Sequence, residues 1–124
     1  MRSVLLILSA TLSVGLAQAQ QPGADQYRAR TAGELVKMCS TPASQKDYAT
    51  ASAFCHGFLA GAYAYFEASV PAADRFVCPP NPGPTRSQVA AGFVEWMKSH
   101  PNMAGDNGVD TLFRYAAEAF PCKR

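Results

Sequence analysis

The sequence predicts a small all-α domain, a bundle of about four helices stapled by two disulfides. Three observations carry that reading. Apolar residues recur at helical spacing in four stretches, each opened by a capping residue and closed by a proline or a turn-forming cluster. No stretch shows the strict alternation of a half-buried strand. Four cysteines, Cys39, Cys55, Cys78 and Cys122, stand downstream of an export-type leader.

Residues 1–19 read as a signal peptide. Arg2 gives the positive start, Val4 through Leu8 with Leu12, Val14 and Leu16 give the apolar run, and Ala17-Gln18-Ala19 gives the small residues expected before cleavage. The apolar run is short for a bilayer span. Residues 20–30 are polar with a Pro-Gly step and are expected to form a flexible leader, with residues 31–124 as the helical domain. The chain carries 11 basic and 9 acidic residues, a formal charge of +2. Only +1 remains once Arg2 is removed. Near-neutrality without a basic run gives no electrostatic case for nucleic acid or an anionic membrane.

Thr31 followed by Glu34 has capping-box spacing and opens a short helix through Leu35, Val36, Met38 and Cys39. Ser40-Thr41-Pro42 ends it, because proline disfavours helix in the residue before it. The second helix is expected from about Gln45 to Ser69, capped by Ser44 with Asp47 in its first turn. Ala51, Cys55, Phe58, Leu59, Ala62 and Phe66 make its core stripe. Ala49, Ala53, Gly57, Ala60, Gly61, Ala64 and Ala68 make an opposite strip of small residues. Such a strip admits close approach of another backbone, so this helix is expected to be central and covered on both sides. A homodimer surface on the strip is the further reading.

Residues 70–84 form a proline-rich connection stiffened by Pro79, Pro80, Pro82 and Pro84. Thr85 and Gln88 make a second capping box. The third helix is expected to bury Val89, Phe93, Trp96 and Met97 and to stop at His100-Pro101. After a turn-rich loop over residues 102–107, Asn107 with Asp110 starts a last helix burying Val109, Leu112, Phe113, Ala116 and Phe120, ended by Pro121.

Four cysteines allow three pairings. Helices joined by a short loop usually lie antiparallel, which returns the end of the last helix to the start of the third. Cys122 then falls near Cys78 and leaves Cys39 to Cys55, the preferred pairing. A zinc site usually draws on closely spaced cysteine pairs, and none is present.

The chemistry-bearing residues form no catalytic set. Ser52-Ala53-Phe54-Cys55-His56 lacks the first cysteine of a haem attachment signature. Cys55 and His56 are adjacent on a helix and point about 100° apart, so they make no dyad. His100 with Met103 could in principle meet copper, but two residues in a loop read better as a surface turn. Glu34, Glu67, Glu95 and Glu118 sit on four different helices. There is no phosphate loop and no serine elbow. The chain is therefore read as a binding protein rather than an enzyme, with no cofactor and no metal.

One ordered set of marks is specific. A cysteine ends the first helix, followed by Cys55-His56-Gly57-Phe58-Leu59-Ala60-Gly61, then Cys78-Pro79, a helix ending in His100-Pro101, and a terminal Phe120-Pro121-Cys122. Over residues 31–122 this resembles the Rap/Tai-type immunity proteins of type VI secretion systems. The resemblance implies a periplasmic, helical, disulfide-bonded and often dimeric inhibitor whose partner is a secreted cell-wall amidase effector. The matching residues are scaffold: staples, close helix contacts and helix stops.

An inhibitor needs an exposed segment to enter its target. The polar, glycine-containing loop from Asn102 to Asn107 is the first candidate, with Asn102, Met103, Asp106 and Asn107 as partner-binding residues. The proline-rich connection with Asp74 and Arg75 is the second. Two other functions compete. One is a periplasmic stress or chaperone-like housekeeping protein without an effector. The other is a small-molecule carrier lined by Tyr63, Tyr65, Phe66 and Trp96, although aromatics at helical spacing are more often core.

Overall fold

The computed structural model describes residues 26–123, so the expected signal peptide lies outside the described residues. Four helices follow in order: α1 (Ala32–Cys39), α2 (Tyr48–Ser69), α3 (Arg86–Lys98) and α4 (Gly108–Ala119). Single 3-10 turns occur at Ala72–Asp74 and Pro101–Met103. Two isolated antiparallel bridges, Thr31 with Asn107 and Val77 with Pro121, take the place of strands among the described residues.

The shortest helix is the hub. In α1, the Thr31 hydroxyl accepts from the Glu34 amide at 3.2 Å, and the Glu34 carboxylate accepts from the Thr31 and Arg30 amides at 3.2 and 2.9 Å. Ala32, Leu35 and Met38 recur every three residues on one face and are buried. They bring α1 against all three other helices. Tyr27 and Ala29, within the stretch expected as leader, pack on the same core.

Helix α2 departs from expectation at both its start and its surroundings. It begins at Tyr48, not Gln45, and Ser44 does not cap it. The Gln45 amide donates to the Pro42 carbonyl and the Tyr48 amide to the Gln45 carbonyl, at 3.0 and 3.1 Å. These tight turns delay the first helical bond, from the Ala51 amide to the Asp47 carbonyl, at 3.0 Å. Ala51, Cys55, Leu59 and Phe66 are buried as expected, with Phe58 and Ala62 partly so. The small strip is not covered. Ala49, Ala53, Gly57, Gly61, Ala64 and Ala68 are exposed, and a Cβ at Gly57 or Gly61 would meet no described atom within 4 Å. Both α1 and α3 pack against the opposite, Cys55-bearing side.

Helix α3 carries the expected capping box, with the Gln88 amide donating to the Thr85 hydroxyl at 3.2 Å and the Thr85 amide to the Gln88 side chain at 2.8 Å. Ala90, Phe93 and Met97 are buried, while Val89 and Trp96 are half-buried. A Cβ at Gly92 would collide with the Tyr115 hydroxyl, so this glycine makes room for the tyrosine. Burial pushes the Tyr115 phenol above the ordinary tyrosine value.

In α4 the Asn107 side chain accepts from the Val109 and Asp110 amides at 3.0 and 3.1 Å. The buried face is Gly108, Thr111, Leu112, Tyr115 and Ala116. Val109, expected in the core, is 42% exposed, because Gly108 takes the inward place in the first turn.

The two disulfides are Cys39–Cys55, across 16 residues, and Cys78–Cys122, across 44. The chain-entropy model assigns loops of these lengths about 3 and about 4 kcal/mol. The second is reinforced by the Cys78 amide donating to the Phe120 carbonyl at 2.7 Å. Around it lies a smaller core of Phe66, Val77 and Ala116, with Phe66 and Phe113 ring centroids 5.0 Å apart.

Gly108 sits where two backbone segments cross, and a Cβ there would strike the Ala29 carbonyl oxygen. At Gly105 a Cβ would meet nothing. Gly108→Ala is expected to lower stability by about 1–3 kcal/mol through overpacking. Gly105→Ala is expected to stay within about 0.5 kcal/mol. Thermal denaturation of the two oxidised variants checks the contrast, and equal midpoints would contradict it.

Candidate functional site

The loop between α3 and α4 begins where α3 runs out of helix. His100 folds back so that its Nδ1 lies 2.8 Å from the Trp96 carbonyl, and its ring stacks on Trp96 with centroids 3.8 Å apart. Trp96 is itself tied to α4 by its indole N–H, which donates to Glu118 at 2.7 Å. Pro101 then fixes the backbone of a single 3-10 turn.

From there the loop crosses the N-terminus of α1. The first amides of a helix have no partner within it, and a buried start leaves them out of reach of water. The Ala104 carbonyl accepts from the Gly33 amide, and the Asp106 carbonyl from the Ala32 amide, each at 2.9 Å. The Gly108 amide returns a bond to the Arg30 carbonyl at 2.9 Å. With Thr31 serving the Glu34 amide, every open donor at the start of α1 is satisfied. Gly33 fits beneath the loop, since a Cβ there would stand 3.1 Å from the Ala104 carbonyl oxygen.

The clasp divides the four residues singled out from the sequence. Asn107 is engaged as the cap of α4. Met103 is half-buried and packs against the main core. Asn102 and Asp106 are exposed, and their side chains make no hydrogen bond or ion pair among the described residues. The presented surface is therefore Asn102, Ala104, Gly105 and Asp106 on an anchored backbone. Ala104 and Gly105 carry no side-chain signal by which the sequence could mark them.

In the second candidate segment Asp74 is exposed, but Arg75 is engaged. The Arg75 guanidinium donates to the Glu67 and Val70 carbonyls at 2.8 and 3.3 Å, and lies 3.9 Å from the Glu67 carboxylate. A cation there serves the carbonyl end of α2. Of the four aromatics of the carrier reading, Tyr63 and Phe66 meet with ring centroids 6.1 Å apart, and the other two lie elsewhere. Tyr65 is 75% exposed, Phe66 belongs to the smaller core, and Trp96 packs at Tyr115 with centroids 6.1 Å apart. No group of three or more metal-ligating side chains is found among the described residues.

A family model for Rap1a immunity proteins matches residues 31–122. No curated protein and no solved structure matches the chain.

The division within the loop has a measurable consequence. Asn107→Ala removes a helix cap and is expected to cost about 1 kcal/mol. Asn102→Ala with Asp106→Ala is expected to leave stability within about 0.5 kcal/mol. Chemical denaturation of the oxidised variants separates the two, and a large loss in the double variant would contradict the assignment.

Proposed function

This chain belongs to the Rap1a immunity protein family, and we propose that it binds a peptidoglycan amidase delivered by type VI secretion, covering that enzyme's active site with its 101–107 loop. The observation that carries the reading is the clasp on α1, which holds an exposed tip of Asn102, Gly105 and Asp106 on a fixed backbone. A segment ordered before binding loses little freedom on docking, which favours affinity. Action in the periplasm, after removal of residues 1–19, is part of the proposal. It is supported by two disulfides, which form and persist in oxidising compartments. No described helix is long and apolar enough to cross a membrane.

Gly105 provides the test. A side chain there meets open space and its backbone is outside the left-handed region, so a bulky residue should leave the fold intact. Gly105→Trp is expected to weaken inhibition of peptidoglycan cleavage on the order of a hundredfold, with an unchanged melting temperature. Undiminished inhibition by the variant would move the interface elsewhere on the protein. Failure of the oxidised wild-type protein to capture any amidase effector would favour the housekeeping reading.

A further inference from the structure

A cleft of about 570 Å³ opens between α2, the proline-rich connection and α4, away from the 101–107 loop. Leu59, Val77, Leu112, Phe113, Ala116 and Phe120 form its apolar interior. The volume falls in the range of small-molecule sites, which are mostly apolar with a few placed polar groups. The small residues of α2 contribute here, because Ala60 and Ala64 form one wall and leave the space unfilled.

Two charged side chains border the cleft, Glu67 and Arg86. They are not equivalent. Glu67 already faces Arg75, and it also faces Tyr63, whose phenol is raised above its ordinary value by burial and then by this carboxylate. The Arg86 side chain makes no hydrogen bond or ion pair among the described residues. It also stands in the first turn of α3, where the helix dipole adds positive potential. The unmet charge at this cleft is a cation beside an apolar space.

The wall also bears on the kind of molecule that fits. Pro79, Pro80 and Pro84 carry no N–H, and the backbones of α2 and α4 are bonded internally, so the open backbone donors of this wall are those of the exposed Asn81, Gly83 and Arg86, none of them in its apolar interior. A peptide laid deep in the cleft would leave backbone groups without partners, at a cost of about 1–3 kcal/mol for each buried one. A hydrocarbon chain has no such groups. We propose that this cleft binds a single-chain anionic amphiphile of the fatty-acid class, with its acyl chain in the apolar interior and its carboxylate at Arg86. The site is separate from the 101–107 loop and does not depend on effector binding.

Calorimetric titration of the oxidised protein with laurate, lauryl alcohol and dodecyltrimethylammonium, each below micelle formation, tests the inference. Laurate is expected to bind saturably at one per chain, and the cation is expected to bind least. Arg86→Gln is expected to weaken laurate about tenfold, equivalent to about 1.4 kcal/mol, and to leave the alcohol unchanged. Ala64→Trp is expected to weaken both by filling the cleft. Laurate-induced NMR shifts are expected at Leu59, Val77 and Leu112, a readout that needs no variant to fold. Absence of saturable laurate binding, equal binding of the cation, indifference to Arg86→Gln, or shifts confined to other residues would each overturn the proposal. Tighter binding of an apolar peptide ending in a free carboxylate would overturn the fatty-acid assignment.

Discussion

The backbone clasp across the start of α1 is the constraint on which the rest of this structure depends. An eight-residue helix has little stability alone, and α1 exists because it is held at both ends and packed on three sides. Its N-terminal amides are satisfied by carbonyls 70 or more positions along the chain, at Ala104 and Asp106. Burying those amides without partners would cost about 1–3 kcal/mol each. The same bonds that complete α1 fix the loop that crosses it, so one set of contacts serves the core and the candidate binding surface together. Ala32 and Leu35, both wholly buried, lie directly behind this junction.

The disulfides complete the arrangement from the other side. Cys39 closes the C-terminal end of α1 onto α2, so this helix is tied by hydrogen bonds at one end and covalently at the other. Cys78–Cys122 does the corresponding work for the smaller core, where the proline-rich connection meets the chain's end beside the Val77–Pro121 bridge. A chain of this size has a limited apolar core, and staples of this kind supply stability that burial alone would not. The cleft lies at the seam between the two cores, where Leu59 and Leu112 of one meet Val77 and Ala116 of the other.

Much of this was legible in the sequence, and the reason is local chemistry. Thr31 with Glu34, Thr85 with Gln88, and Asn107 announce helix starts because a side chain at fixed spacing satisfies an amide nearby. The expected cysteine pairing is the one observed, although Gly92 meets Tyr115 and Trp96 meets Glu118, so positions along α3 and α4 rise together where a simple antiparallel return would oppose them. The misreadings have tertiary causes, except at the start of α2, where a local turn competes with the helix. Ser44 has the composition of a cap, yet Pro42 and Gln45 carbonyls capture the amides that a helix there would need. The strip of small residues on α2 suggested a central helix covered on both sides, whereas the hub is α1, whose burial depends on partners that a local pattern cannot reveal. Val109 fits an apolar stripe, but the crossing at Gly108 sets the rotation of α4. The clasp itself is made by backbone carbonyls, which have no side-chain signature, and only Asn102 and Asp106 of the presented surface could be picked out by type.

An anchored loop presented by a stapled scaffold is a recurring way to hold a binding surface in one conformation. In this protein that conformation rests on three hydrogen bonds, and native-state hydrogen exchange measures their permanence directly. The amides of Ala32, Gly33 and Gly108 are expected to be protected as strongly as core amides such as those of Leu59 and Phe93, opening only when the whole domain unfolds. Exchange at these three positions orders of magnitude faster than at the core positions, while α2 and α3 stay protected, would show that the clasp opens on its own and would contradict the account.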